Sequence, residues 1–122
     1  MILGLGNDIV EISRIEKAVS NERFLKRVYT EKEIEAVEKK GNRAASYAGR
    51  FSAKEAVSKA MGTGVRDFAL TDIEILNDEL GKPYVVFKNK LEERMKGLCI
   101  ELSISHSREY ATAVAVIFKK EK

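Results

Sequence analysis

The sequence predicts an α+β fold, with a mainly antiparallel sheet and a long central helix. Three observations carry this expectation. Residues 42–62 hold apolar side chains at helical spacing for about five turns. Residues 99–107 and 110–119 alternate as strands with only Arg108-Glu109 at their junction, a gap short enough to close an antiparallel pair. The predicted helices mostly follow one another instead of alternating with strands, which gives the order βαααββαββ.

Taken in order, residues 1–12 read as a strand that carries Gly4 and Gly6. Ser13-Arg14-Ile15-Glu16 has the form of a capping box, in which a hydroxyl and a carboxylate satisfy the first free amides of a helix. Thr30-Glu31-Lys32-Glu33 repeats that form and opens a second helix to about Lys40, whose face reads as solvated. Asn42 can cap the long third helix, with Gly62 as its C-terminal glycine. Residues 72–76 and 84–87 form a hairpin around the turn residues of 77–83, and residues 89–96 form a short helix closed by Gly97. In the last strand Tyr110, Thr112, Val114, Val116 and Phe118 face one way, and Ala111, Ala113, Ala115 and Ile117 the other. Neither set is polar, so both faces call for a cover: helices on one side, and a second layer or another subunit on the other.

The 122 residues read as one domain, residues 1–122, with no linker, repeat or low-complexity tract. Hydrophobic residues at 44% and charged residues at 34% suit a small folded protein and exclude a disordered one. One His and one Cys cannot build a Cys/His zinc cluster, a disulfide framework or a paired-thiol redox site. Cys99 reads as a small buried hydrophobe in a reducing cytosol. No apolar run approaches the roughly 20 residues that span a bilayer, and the first residues lack the pattern of a signal peptide. The expectation is therefore a cytoplasmic protein without a membrane partner. The absence of Gln and the weight of Glu and Lys resemble thermophile composition. A net charge of +3 permits an acidic or phosphorylated partner. Nucleic acid is not expected, because the basic residues are interspersed with acids and no aromatic RNA-binding motif is present.

What remains is carboxylate, Lys/Arg and metal–oxygen chemistry. Asp8 lies in an otherwise apolar strand, where a carboxylate costs several kcal/mol unless something compensates it. A cation, a metal or a cluster of donors would do so, as would a simple pairing with a nearby Lys or Arg. On the long helix Ala44, Tyr47, Ala48 and Phe51 share one stripe, and Glu55 falls in its middle with Lys59 one turn on. An i,i+4 ion pair would explain Lys59 but not the inward position of the pair. Two inward carboxylates beside a Lys are what a hard divalent cation and a phosphate require. Gly62-Thr63-Gly64 could turn its amides toward a ligand or simply end the helix. Gly4-Leu5-Gly6 is no dinucleotide fingerprint, since position 9 is Ile. His106 ends an inward row with Ile100, Leu102 and Ile104 and reads as a structural residue sooner than as a catalyst. Residues 14–27 hold five basic and two acidic residues together with Ile15, Val19, Phe24 and Leu25. That mixture suits either an ordinary amphipathic helix or a dock for an acidic protein.

Taken together, these motifs resemble one family. Gly4-Leu5-Gly6-Asn7-Asp8-Ile9-Val10-Glu11-Ile12 is similar to the opening strand of the holo-acyl-carrier-protein synthases, the short trimeric phosphopantetheinyl transferases. Gly49-Arg50-Phe51-Ser52-Ala53-Lys54-Glu55-Ala56, continued by Lys59-Ala60-Met61-Gly62-Thr63-Gly64, resembles the central helix of that family. Gly81-Lys82-Pro83 and Ser103-Ile104-Ser105-His106-Ser107 match its later blocks in order. The resemblance implies the phosphopantetheinyl transferase fold in a homotrimer with its sites at subunit interfaces. It also implies transfer of 4′-phosphopantetheine from coenzyme A to a serine of apo-acyl carrier protein, with Mg²⁺, in fatty acid biosynthesis, releasing 3′,5′-ADP. By the same resemblance Asp8, Glu55 and Lys59 are catalytic, and Asp8 and Glu55 are the Mg²⁺ ligands. Lys59, Arg50, Gly62, Thr63, Gly64, Pro83 and His106 become coenzyme A contacts, and Arg14, Arg23 and Phe24 the carrier-protein dock.

Overall fold

A computed structural model describes residues 1–62 and 65–120. Strand β1 (Ile2–Glu11) leads into four helices, α1 (Ile12–Val19), α2 (Glu22–Val28), α3 (Glu31–Glu38) and the long α4 (Arg43–Met61). A 3₁₀ turn at Leu70–Asp72 precedes the hairpin β2 (Ile73–Asn77) and β3 (Pro83–Phe87). Helix α5 (Lys90–Arg94) and the strands β4 (Cys99–His106) and β5 (Tyr110–Phe118) follow. One antiparallel sheet has the order β1-β5-β4, and the hairpin forms a second. The α+β class, the mainly antiparallel pairing and the long helix agree with the sequence.

Backbone contact between β1 and α4 positions everything else. A Cβ on Gly4 would sit 1.9 Å from the Ala60 carbonyl oxygen, and one on Gly6 would sit 2.0 Å from that of Ala56. Only glycine permits a helix to lie that close to a strand. The next position on this face is Asp8, and it meets Ser52. Each step of two strand residues thus matches a step of four helix residues. The spacing allows this, since two residues rise about 6.8 Å in a strand and four rise about 6 Å in a helix. Ala48, Ser52, Ala56 and Ala60 are all buried, and so are Ala111, Ala113 and Ala115 on β5 beneath the same helix. Small residues on both sides bring α4 down onto the sheet, and the larger core side chains pack around it.

Local differences from the sequence expectation have identifiable causes. The first helix begins at Ile12, directly off β1, so Ser13 falls inside the first turn and Glu11 occupies the cap position without a side-chain hydrogen bond. The stretch expected as one helix breaks at Asn21, whose Oδ1 accepts from the amides of Arg23 and Phe24 and starts α2. At Thr30 the capping box forms as expected: Thr30 Oγ1 accepts from the Glu33 amide at 3.2 Å, and Glu33 Oε1 accepts from the Thr30 amide at 2.8 Å. The face of α3 is not wholly solvated, because Glu33 and Val37 are buried. Glu33 Oε1 receives Lys54 Nζ at 2.7 Å, and its Oε2 receives the Ile75 amide at 2.7 Å. Lys54 also donates to the carbonyls of Val28 and Leu70, so all three ammonium hydrogens are engaged. Burial lowers the pKa of Lys54, and the Glu33 carboxylate partly offsets this.

One face of the three-stranded sheet is covered by α4. The opposite face, with Leu5, Ile9, Tyr110 and Val114, stays exposed in the single chain, with Leu5 at 68% and Ile9 at 66%.

Candidate active site

The strand–helix contact that requires glycines at positions 4 and 6 delivers Asp8 to α4 with most of its side chain out of water (14% exposed). Lys59 Nζ lies 3.2 Å from Asp8 Oδ1 and donates to the Asn7 carbonyl at 3.1 Å. The ion partner of Lys59 among the described residues is therefore Asp8, across the strand–helix contact, and not Glu55 one turn before it. Glu55 is half-buried beside them. Burial raises its pKa first, the Asp8 carboxylate raises it further, and Lys59 pulls it back. A half-buried carboxylate whose charge is disfavoured by its neighbour favours a cation there. Among the described residues no group of three or more His, Cys, Asp and Glu could hold a metal ion. Asp8 and Glu55 still supply the one or two carboxylates that Mg²⁺ takes before it completes its shell with water and substrate phosphate oxygens.

A second feature lies further back along α4. A cavity of about 350 Å³ is lined by Ser46, Arg50, Asn77, Pro83 and His106, among others. Arg50 is 5% exposed. Its guanidinium donates to Ser46 Oγ at 2.9 Å and to Asn77 Oδ1 at 2.8 Å, while its buried Nε has no partner among the described residues. Burial lowers the pKa of Arg50, and Glu33 opposes the shift. A guanidinium held in place at a cavity is suited to an anionic ligand. Gly49 lets β4 approach, since a Cβ there would meet Ile104 Cγ2 at 3.1 Å.

The structure thus gathers Arg50, Pro83 and His106 into one cavity and Asp8, Glu55 and Lys59 into one cluster on the same helix. Gly62 ends α4 on the cluster side with φ 78°. Thr63 and Gly64 lie outside the described residues. Arg14 and Arg23 are exposed on α1 and α2. Phe24 is half-buried, with its ring 6.1 Å from that of Phe51 and 6.5 Å from that of Tyr29. Sequence reasoning missed Ser46 and Asn77, which hold Arg50, and Ser52, which touches Asp8. The signal for Ser52 was available as the repeat of small residues Ala48, Ser52, Ala56 and Ala60, in step with Gly4, Gly6 and Asp8.

The chain is similar to known proteins over nearly its whole length. Residues 4–115 match the family model described as the 4′-phosphopantetheinyl transferase superfamily. A holo-[acyl-carrier-protein] synthase of Fusobacterium nucleatum is 62% identical over 121 residues, covering 96% of this chain and 99% of the relative. Among solved structures, a holo-(acyl-carrier-protein) synthase of Bacillus anthracis in complex with CoA (3′,5′-ADP) superposes with a TM-score of 0.82. It is 41% identical and covers 98% of this chain and 99% of its own. The corresponding synthase of Neisseria meningitidis gives a TM-score of 0.88 at 34% identity, covering 98% of this chain and 100% of its own.

Proposed function

This chain belongs to the 4′-phosphopantetheinyl transferase superfamily, and from that premise we propose how its two features divide the work. The protein is an enzyme that transfers 4′-phosphopantetheine from coenzyme A to a serine of apo-acyl carrier protein and releases 3′,5′-ADP. Asp8 and Glu55 hold a Mg²⁺ ion, and Lys59 contacts the pyrophosphate. The cavity of Arg50, Pro83 and His106 takes the nucleotide end of coenzyme A, with Gly62, Thr63 and Gly64 along the same ligand. Arg14, Arg23 and Phe24 receive the acidic carrier protein. The observation that carries this reading is the convergence of Asp8, Glu55 and Lys59 across the β1–α4 contact.

The reaction is a displacement at phosphorus. The serine oxygen bonds to the phosphorus that bears pantetheine, the bond from that phosphorus to the bridging oxygen breaks with its electron pair leaving on 3′,5′-ADP, and the serine proton passes to water. When bound, Mg²⁺ supplies Lewis-acid stabilisation of the charge that gathers on the phosphate oxygens. Lys59 adds a compact positive charge at the same edge, close enough to Asp8 to be oriented by it. Asp8 and Glu55, partly withdrawn from water, keep that edge preorganised so that little reorientation is needed as charge develops. Arg50, braced by Ser46 and Asn77, offers a fixed guanidinium to an anionic group of the substrate.

The exposed apolar sheet face around Leu5, Ile9 and Val114 supports assembly as a homotrimer. No helix in the described residues is long and apolar enough to cross a membrane. We place the enzyme in the cytoplasm, in fatty acid biosynthesis. The direct test is Glu55→Gln, which keeps the shape of the side chain. We expect a folded protein whose Mg²⁺-dependent turnover falls at least about 100-fold. Turnover near wild type would overturn the assignment of the carboxylates.

A further inference from the structure

We infer that Ser52 is a positioning residue that sets the Asp8 carboxylate for its cation, with Thr112 pinning the backbone beside it. This rests on the assignment of Asp8 as a metal ligand and extends it to groups that do not themselves touch the metal. Ser52 is 0% exposed, and its hydroxyl faces two acceptors on one residue. Its Oγ lies 3.0 Å from the Asp8 carbonyl oxygen and 3.1 Å from Asp8 Oδ2. From β5, Thr112 Oγ1 donates to the same carbonyl at 2.7 Å. The two carboxylate oxygens of Asp8 are therefore held differently: Lys59 faces Oδ1, and Ser52 faces Oδ2.

Several features make this more than a buried serine satisfying itself. Ser52 lies on the small-residue face of α4 between Ala48 and Ala56, where alanine is the prevailing choice. A mid-helix serine commonly returns its hydroxyl to the carbonyl four residues earlier. Ser58 on this same helix does so, donating to the Lys54 carbonyl at 2.8 Å. Ser52 instead reaches across to β1. The close approach that Gly4 and Gly6 permit brings the hydroxyl within reach of Asp8. A carboxylate whose rotamer is fixed by a neighbouring donor loses less freedom on binding a metal, and removing such outer partners typically costs 10–100-fold in metal affinity.

The test is the affinity for Mn²⁺, read from the electron paramagnetic resonance signal of the free ion, in protein saturated with coenzyme A. Wild type, Ser52→Ala, Thr112→Val and Asp8→Asn are compared, and thermal melts check that each is folded. We expect Ser52→Ala to melt close to wild type, weaken Mn²⁺ binding about tenfold, and regain turnover when Mg²⁺ is raised. Thr112→Val should show a smaller loss in the same direction, and Asp8→Asn should lose the tight site. Wild-type Mn²⁺ affinity in Ser52→Ala, together with its loss in Asp8→Asn, would overturn the role of Ser52. Wild-type affinity in Asp8→Asn would instead overturn the metal assignment on which it rests. A loss of turnover in Ser52→Ala that extra Mg²⁺ does not restore would mark the serine as structural.

Discussion

At the scale of single residues, the site depends on a few side chains whose chemistry contradicts their surroundings. Asp8 and Glu55 were legible for that reason: a carboxylate inside an apolar pattern needs a partner, and Asp8 finds one in Lys59 with Glu55 beside them. Lys54, the neighbour of Glu55, was not legible as buried. Periodicity assumes one wet face on a helix, and α4 is buried on nearly every side, so its charged residues do not separate by angle. Replacing Lys54 with Met would strand the buried Glu33 carboxylate, and we expect a loss of about 3–5 kcal/mol in urea unfolding. A loss under about 1 kcal/mol would show that the pair contributes little. Gly6→Ala should also destabilise the protein strongly, by at least about 1–3 kcal/mol, because its Cβ would meet the Ala56 carbonyl oxygen at 2.0 Å. Tyr47 supplies a prediction in pH. Burial, and then the hydrogen bond from its hydroxyl to Glu38 Oε2 at 2.8 Å, push its pKa up from the ordinary 10.0 to about 12. A raised folded-state value means that its contribution to stability is complete below pH 10 and is lost as pH rises toward 12. Tyr47→Phe should flatten the stability–pH curve across that interval in urea unfolding, and an unchanged slope would refute it.

At the scale of elements, the strands and the long helix were readable because alternation and helical spacing persist over many residues. The break between α1 and α2 was not, since it depends on Asn21 turning its side chain onto two amides within an otherwise continuous amphipathic pattern. That break presents Arg14 and Arg23 on two separate helices while Phe24 packs against Phe51 of α4. The dock proposed for the carrier protein is thereby joined to the helix that carries Glu55. Arg14→Glu should raise KM for the carrier protein by about tenfold or more through like-charge repulsion, with KM for coenzyme A nearly unchanged. Equal rises in both would argue against a dedicated dock. The cavity is a further consequence of element placement. It needs α4, the turn end of the hairpin and the end of β4 together, and no single stretch of sequence shows that Asn77 will brace Arg50.

At the scale of the whole molecule, the two apolar faces of β5 were visible in its alternation. The alanine face is covered by α4, and the other lies bare with Leu5 and Ile9 beside it. The proposed trimer would cover that surface. Ile9→Lys, placed in the middle of the face, should shift sedimentation from trimer to monomer, with activity falling in parallel. A trimer of unchanged stability would place the interface elsewhere. The same scale joins the Asp8–Glu55–Lys59 cluster and the Arg50 cavity, the proposed sites for the cation and the nucleotide, along α4. The most direct measurement of that union is intact-mass spectrometry of apo-acyl carrier protein incubated with this protein and coenzyme A, with Mg²⁺ or with a chelator. We expect the phosphopantetheine mass increment on the carrier protein with Mg²⁺ and its absence with chelator. No increment under either condition, with a competent control enzyme present, would contradict the transfer itself, and an equal increment under both would contradict the role given to Asp8 and Glu55.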